Sequence, residues 1–295
     1  MTWYAFLGAI EQGFAFGLMV LGVYLTFRIL DFPDLTVDGS LPLGAAVTAV
    51  GITAGLHPLL AMTLAMGAGF LAGVVTGLLN TKLRILHLLA SILTMIALYS
   101  INIRIMGRPN MTLLGQQTLL DPLLESGLEP STAAPMLFGG ICAVVVLLLI
   151  WFLHTEFGLA MLATGDNKQM ITSQGVNTDF ILIFGIGLSN ALVALSGSLL
   201  CQSQGAADVN MGVGTIVAGL ASVIVGETIF GDRSIGRAIL AALLGSVIYR
   251  LAIALALSVR LGSFSITPSD LNLITALLVI VALTLPKVRQ RLRFR

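Results

Sequence analysis

Residues 164–177 read TGDNKQMITSQGVN and lie between two long apolar stretches. Asp166 or Asn167 can cap a short helix at the start of this segment, and Gly175 permits the turn that ends it. The middle of such a helix would present four side chains to a partner: Lys168, Gln169, Met170 and Ile171. The segment therefore predicts a short polar helix at a membrane surface, through which a separate protein could move the membrane helices.

The rest of the chain is mostly apolar. Of its 295 residues, 57% are hydrophobic and 10% are charged, and the mean hydropathy is +1.01, well beyond the composition of a soluble domain. Apolar windows long enough to cross about 30 Å of hydrocarbon as helices recur along the whole length. The composition therefore predicts an all-α integral membrane protein with a single transmembrane domain over residues 1–295.

The pattern contains about nine such windows, and a count of about eight or ten spans also fits it. The second window is short and lies between glycines and prolines, which predicts a broken or re-entrant helix near residues 33–56. The windows are centred on residues 5–28, 41–56, 58–79, 85–105, 136–154, 180–201, 212–230, 236–257 and 271–285.

The basic residues divide unevenly between the two ends of these windows. With the N-terminus outside and the C-terminus inside, eleven of the fifteen Lys and Arg residues fall inside, three fall outside, and Arg250 lies within a span. This distribution follows the positive-inside rule. We therefore expect a multi-pass protein with an outer loop at about 107–135 and an inner, cytoplasmic loop at about 157–178.

The sequence carries no pattern of a known catalytic or nucleotide-binding site. It has no zinc-protease His-Glu motif, no Gly-x-Ser-x-Gly turn and no phosphate-binding Gly-x-x-x-x-Gly-Lys loop. Cys142 and Cys201 have no metal-binding or redox spacing, and no basic cluster with aromatic residues suggests nucleic acid. We therefore expect no enzymatic activity and no bound metal or cofactor in this chain, so that any ATP and magnesium would be held by a different polypeptide.

Polar residues inside the spans are candidates for a translocation path, because lipid makes them costly. Arg250 lies deep in the eighth window, where it could pair with Glu227 or Glu11 or attract a substrate carboxylate. The other candidates form a mixed polar set that suits a zwitterion or a polyol equally well: Asp38, Ser189, Asn190, Ser196, Gln202, Gln204, Asp208, Asn210 and Asn272.

Residues 31–44 place three carboxylates beside prolines and glycines before the second window. Asp38 and Ser40 could cap the second helix, since their oxygens can meet backbone donors that lipid leaves unpaired. Alternatively, Asp31, Asp34 and Asp38 could form a cation site. That arrangement would favour an ion- or proton-coupled secondary transporter that works without an ATPase.

A stripe of small residues, each four positions from the last, marks the third window: Ala65, Gly69, Gly73 and Gly77. Such a stripe lets two helix backbones approach closely in lipid. It predicts tight packing of this helix against a neighbour.

Several stretches together resemble the permease subunits of bacterial ABC importers for branched-chain amino acids and ribose. They are LTVDGS at 35–40, GDN at 165–167 and GVN at 175–177. Two more, LYSINIRIMGRPN at 98–110 and ADVNMGVGTI at 207–216, resemble the subgroup of tryptophan or tyrosine permeases. The resemblance extends from about residue 8 to residue 285.

This resemblance implies an ABC importer permease fold in a bacterial plasma or inner membrane. Its expected partners are a second copy of the permease, two cytoplasmic ATPase subunits and an extracellular or periplasmic binding protein that delivers a small solute, such as an aromatic amino acid. Residues 165–177 would be the coupling helix that contacts the ATPase, including Gly165, Gly175 and Asn177.

Overall fold

The computed structural model describes residues 3–125, 127, 129–258, 260, 261, 264, 265 and 280. Within these residues the chain is almost entirely helical. The helices are α1 (Trp3–Val23), which continues as a π-helical segment (Tyr24–Ile29), α2 (Val37–Thr53), α3 (Pro58–Thr81), α4 (His87–Met106), α5 (Asp121–Glu125), α6 (Pro130–Leu153), α7 (Glu156–Asp166), α8 (Lys168–Ser173), α9 (Thr178–Gln204), α10 (Thr215–Phe230) and α11 (Ile235–Ser258).

Six helical stretches of the described residues are long and apolar enough to cross a membrane: Trp3–Ile29, Pro58–Thr81, His87–Met106, Ser131–Leu153, Thr178–Gln204 and Ile235–Leu257. Two shorter apolar helices, α2 and α10, accompany them. These eight helices coincide with eight of the predicted windows. The ninth window, 271–285, and Asn272 lie outside the described residues, so the count of nine stays a prediction, whereas the all-α membrane class is confirmed.

Helix α9 lies at the centre of the bundle and packs against α1, α2 and α3. Two serine hydroxyls of α9 form hydrogen bonds with α1. Ser189 donates to the carbonyl oxygen of Gly22 and Ser196 to that of Ala15, both at 2.7 Å. The partner numbers fall as the serine numbers rise, so the two helices run antiparallel. Hydroxyl groups thus replace part of the hydrophobic driving force that is missing between helices in lipid.

The small-residue stripe of α3 faces α9, as predicted. A Cβ atom added at Gly69 would clash with the carbonyl oxygen of Asn190, and one added at Gly73 would clash with that of Ile186. At Gly77 the added atom would lie 2.8 Å from the Cα of Ile183. The absence of side chains at these positions therefore sets the distance between the two helix backbones.

The two short helices begin part-way through the bundle. Ser40 donates to Asn190 Oδ1 and Thr48 to Ser198, both at 2.7 Å, so α2 runs parallel to α9 and begins beside its middle. The start of α10 lies at the same level, because the Thr215 hydroxyl donates to Asp38 Oδ1 at 3.0 Å. Both helices are short because they start inside the bundle and not at its surface.

Irregular backbone at residues 30–36 precedes α2. Asp34 is buried there: its Oδ1 accepts from the Thr36 N–H at 2.9 Å and its Oδ2 accepts from Asn190 Nδ2 at 2.8 Å. The Asp34 side chain thus supplies a hydrogen-bond partner to a backbone N–H that water does not reach, as the interior of a membrane protein requires. The predicted break does not fall within α2, which is continuous from Val37 to Thr53 although it contains Pro42.

At the opposite end from α8, two short strands join the ends of α4 and α9. Strand β1 (Asn110–Thr112) pairs antiparallel with β2 (Ala206–Asp208), with Asn110 opposite Asp208. The loop predicted at 107–135 contains β1, α5 and the start of α6. Elsewhere in the chain, β3 (Arg260–Leu261) and β4 (Phe264–Ser265) form a second small strand pair.

Candidate coupling helix and solute cavity

The polar segment predicted to carry a short helix contains α8, Lys168–Ser173. Asn167 is its cap, because Asn167 Oδ1 accepts from the Met170 N–H at 3.0 Å. Asp166, the alternative cap, is instead the last residue of α7. Gly175 has a φ of +85°, which turns the chain after the helix at a conformation that other residues rarely adopt. The local prediction is therefore confirmed, with Asn167 as the capping residue.

Helix α8 presents only part of its predicted contact set. Lys168, Gln169 and Met170 are exposed, and 54% of the Met170 surface is free. Ile171, however, is buried at 6% exposure. The prediction that Ile171 faces a partner is therefore wrong, because this side chain holds α8 against the bundle.

Both ends of the segment are tied to membrane helices. Lys168 Nζ lies 3.4 Å from Asp179 Oδ1, and Lys82 Nζ lies 4.0 Å from Asp179 Oδ2. Asn177 caps α9 by accepting from the Phe180 N–H at 3.2 Å. The segment that carries α8 is therefore attached to α9 at both ends.

A chain of contacts continues from α7 to α10. Gly165 of α7 packs on the carbonyl oxygen of Ile29, at the end of the π-helical segment. In the same segment, Arg28 pairs with Glu227 at 3.1 Å and with Asp232 at 3.2 Å. Arg28 is half exposed, so these pairs orient the segments more than they stabilise the fold. The surface helix is thus connected, through the π-helical segment, to the helix that begins beside Asp38.

A cavity of about 470 Å³ lies where α2, α4 and the residues before α10 meet. Asp38 binds the start of α10 at its edge: Oδ1 accepts from the Ile216 N–H at 2.9 Å and from the Thr215 hydroxyl, and Oδ2 accepts from the Gly214 N–H at 3.0 Å. Asp38 therefore caps α10 and not its own helix, which corrects the sequence-based expectation. The carboxylate suits this place because it meets the positive end of a helix dipole.

Asn102 of α4 also lines this cavity and is buried at 1% exposure. Its Nδ2 donates to the carbonyl oxygen of Gly39 at 3.2 Å, whereas Oδ1 has no hydrogen-bond partner among the described residues. The remaining lining is largely apolar: Gly39, Pro42, Met95, Ile96, Tyr99, Ser100, Val209 and Val213. The site thus combines a carboxylate and an unpaired amide oxygen with apolar walls.

Comparison with known proteins identifies the family. Residues 5–284 match the family described as the permease component of branched-chain amino acid transport systems. This chain belongs to that family. The protein is accordingly a membrane permease of an ABC transport system, and its family is not a catalytic one.

Individual relatives agree with this assignment. The permease is 43% identical over 277 residues to a tyrosine transport system permease protein of Clostridioides difficile, covering 94% of this chain and 90% of the relative. It is 29% identical over 235 residues to the autoinducer 2 import system permease protein LsrC of Yersinia pseudotuberculosis, covering 77% and 64%. Its fold resembles that of PsaBC from Streptococcus pneumoniae in complex with Fab, with a TM-score of 0.53, 18% identity, and 96% and 91% of the two chains covered.

The structure separates the predicted path residues of the permease. Asp38 lines the cavity, whereas Asn190 is buried between helices and binds Ser40 and Asp34. Ser189 and Ser196 likewise serve helix packing.

The path residues at the end of α9 lie beyond this cavity as well. Gln202 accepts from the Leu119 N–H at 3.0 Å and so holds the loop between α4 and α6. Asp208 accepts from Asn110 across the strand pair and from the Asn210 N–H, and Gln204 and Asn210 are exposed nearby. Most of these polar residues therefore stabilise the bundle and its end beside β1 and β2.

Arg250 forms neither of the predicted ion pairs. Its guanidinium carbon lies 3.5 Å from the centre of the Phe16 ring on α1. Glu227 pairs with Arg28, and Glu11 accepts from the Ser203 hydroxyl. The guanidinium group is therefore placed on an aromatic face, which attracts cations through the ring quadrupole, and the cavity beside Asp38 is not lined by it.

Sequence reasoning missed the contribution of α4 to the cavity. Met95, Ile96 and Tyr99 look like ordinary apolar residues of a membrane helix. Asn102, near the end of α4, carried a usable signal, since an amide within an apolar span is costly unless it has a partner or a role. The predicted cation site is also not formed by the described residues, in which no cluster of three metal-ligating side chains occurs.

Proposed function

We propose that this permease is the membrane subunit of an ATP-driven importer and that α8 is its contact with a cytoplasmic ATPase. The exposed, capped α8 carries this proposal, because its Met170 face is free while both ends are fixed to membrane helices. A rigid connector of this kind can convert closure of an ATPase dimer into movement of the spans. ATP and magnesium would be bound by the ATPase and not by this chain.

We propose further that two copies of the permease form the path and that a binding protein delivers the solute at the end that carries β1 and β2. The substrate we propose is tyrosine or a similar aromatic amino acid. Support comes from the 43% identity with a tyrosine transport system permease protein. Selectivity would lie mainly in the binding protein.

The proposed membrane placement has the N-terminus outside and the C-terminus in the cytoplasm of a bacterial cell, with nine spans and a re-entrant start to α2. Lys82, Lys168 and Arg28 all belong to the α8 end of the bundle in this arrangement, which agrees with the positive-inside rule. Helix α2 beginning beside the middle of α9 supports a chain that turns within the membrane.

The alternative, an ion-coupled carrier, has less support. Of the three aspartates proposed as its cation site, Asp34 binds Thr36 and Asn190, while Asp38 caps α10. Asp31 is exposed. Asp34 and Asp38 therefore each stabilise the fold through these hydrogen bonds.

Co-purification tests the proposal. The permease is expressed together with the ATPase and binding protein encoded beside its gene, and a thermal-shift screen of the binding protein against the amino acids identifies the cargo. We expect a stable complex with the ATPase and a shift with aromatic amino acids. Failure of the co-expressed ATPase to purify with the permease, under conditions that preserve the permease fold, would contradict the proposal.

A further inference from the structure

We propose that the cavity beside Asp38 is a solute site that holds the ammonium group of an aromatic amine between Asp38 and Asn102. The inference rests on the proposed function in one respect, because it assigns the place in the permease where an aromatic amino acid would pass. It adds the chemistry by which the permease itself recognises that solute.

The Asp38 carboxylate carries a negative charge that only neutral donors meet among the described residues. Its Oδ1 accepts from the Ile216 N–H and the Thr215 hydroxyl, Oδ2 accepts from the Gly214 N–H, and the Thr215 N–H also contributes. No Lys or Arg of the described residues forms an ion pair with Asp38, and a cationic ligand would neutralise it.

Asn102 supplies a second acceptor. The bond from Nδ2 to the Gly39 carbonyl fixes the orientation of the amide, because a carbonyl oxygen requires a donor opposite it. The acceptor Oδ1 is therefore the atom left without a partner among the described residues. A buried acceptor without a partner costs about 1–3 kcal/mol, and a ligand donor removes this cost. Asp38 and Asn102 both line the cavity, and Asn102 bonds to Gly39, the residue that follows Asp38.

The walls fit an aromatic body. Met95 contributes a thioether and Tyr99 a ring, both of which pack well against aromatic groups. Ile96 and Val213 add aliphatic surface. A volume of about 470 Å³ lies within the range of small-molecule sites. The hydroxyls of a polyol would face apolar walls that offer them no hydrogen bonds, and an anion would be repelled by Asp38. The cavity therefore favours an amine with an apolar ring.

The test uses purified permease in detergent, without ATPase. Val213 is 76% exposed, and a Val213→Cys variant can be labelled with a small maleimide, while the native Cys142 and Cys201 are buried. L-tyrosine, tyramine and 3-(4-hydroxyphenyl)propionate are added in separate titrations. We expect tyrosine and tyramine to slow labelling and the propionate, which lacks the amine, to leave the rate unchanged.

Variants in the same background identify the acceptors. Asn102→Leu and Asp38→Asn should each weaken protection about tenfold or more, the effect of losing a hydrogen bond to a charged group. Thr94→Val is the matched control on α4, since the Thr94 hydroxyl, among the described residues, bonds only to the Ala90 carbonyl of its own helix, at 3.1 Å. Tyrosine and tyramine should slow labelling at position 213 as much in this variant as in the protein with Thr94 intact. Gel filtration verifies that each variant is folded, and the two acceptor variants serve as independent tests.

Three results would overturn the assignment: equal protection by all three compounds, protection by none, or full protection in either acceptor variant. The proposed function fails differently. If the amines protect the introduced thiol at position 213 but the complete system shows no ATP-driven uptake, the solute site stands and the importer proposal falls. If uptake is ATP-driven and the Asn102→Leu variant transports with unchanged apparent affinity, the importer proposal stands and the site is wrong.

Discussion

Gly165 of α7 lies directly against the carbonyl oxygen of Ile29, the last residue of the π-helical segment that continues α1. This contact joins the segment that carries α8 to the helix whose Arg28 binds α10. π-Helical turns are rare overall, and those that occur are often found at functional sites. Under the proposed function, this contact is the route by which movement of α8 would reach the cavity beside Asp38.

A methyl group at Gly165 should break this route. The added Cβ would overlap the Ile29 carbonyl oxygen, so α7 must move away, at a cost of about 1–3 kcal/mol for overpacking. We expect Gly165→Ala to lower the thermal unfolding midpoint and to reduce solute transported per ATP hydrolysed. Gly67→Ala is the control, because a Cβ at Gly67 meets nothing within 4 Å. Equal behaviour of the two variants would show that the contact has no role.

The two neighbouring residues of α8 should respond differently to a negative charge. Met170→Glu places the charge on the exposed face and should release the ATPase, or uncouple its hydrolysis from uptake, without unfolding the permease. Ile171→Glu buries the charge and should destabilise the fold, since Ile171 is 6% exposed. Gln116→Glu, exposed at the opposite end of the bundle, is the charge-matched control. Co-purified ATPase and thermal unfolding are measured for each; normal coupling in Met170→Glu would remove α8 as the ATPase contact.

Local chemistry made α8 and the α3 stripe predictable from sequence. An asparagine cap, a glycine turn and small residues four apart each act over a few neighbouring residues, and the structure places Asn167, Gly175 and Gly69 accordingly. The cavity was harder to predict, because it is formed by residues distant in sequence. Asp38 reaches Ile216, 178 positions away, and nothing in the local pattern distinguishes capping its own helix from capping another.

The polar residues of α9 show the same limit. Asn190 and Asp38 are both polar residues in apolar surroundings, yet one packs helices and the other lines a cavity. Hydropathy identifies both as unusual but gives no information on which side of a helix faces a neighbour. Locating the cavity therefore required the relative positions of α2, α4 and the residues before α10.

Asn190 should act on stability and not on solute recognition. Asn190→Ala removes partners from the Asp34 carboxylate and the Ser40 hydroxyl, both buried, and should cost about 3 kcal/mol or more. Ser189→Ala should cost about 1 kcal/mol, since the Gly22 carbonyl keeps a contact with Thr26. Thermal unfolding in detergent compares the two. A smaller loss for Asn190→Ala than for Ser189→Ala would contradict the network.

The stacking of Arg250 on Phe16 should be measurable by a double-mutant cycle. Phe16→Leu, Arg250→Gln and the double variant should give a coupling energy of about 1–2 kcal/mol in unfolding experiments, as a desolvated cation on an aromatic ring does. Additive effects of the two substitutions would mean that the contact does not stabilise the bundle.

Transport by reconstituted protein shows most directly whether ATP or an ion gradient drives uptake. Proteoliposomes are prepared with the permease, its ATPase and its binding protein, and uptake of labelled tyrosine is followed with ATP, without ATP, and with an imposed proton or sodium gradient alone. For an ATP-driven importer we expect uptake only with ATP, and loss of that uptake in the Met170→Glu variant. Uphill uptake by the permease alone, driven by an ion gradient, would contradict it.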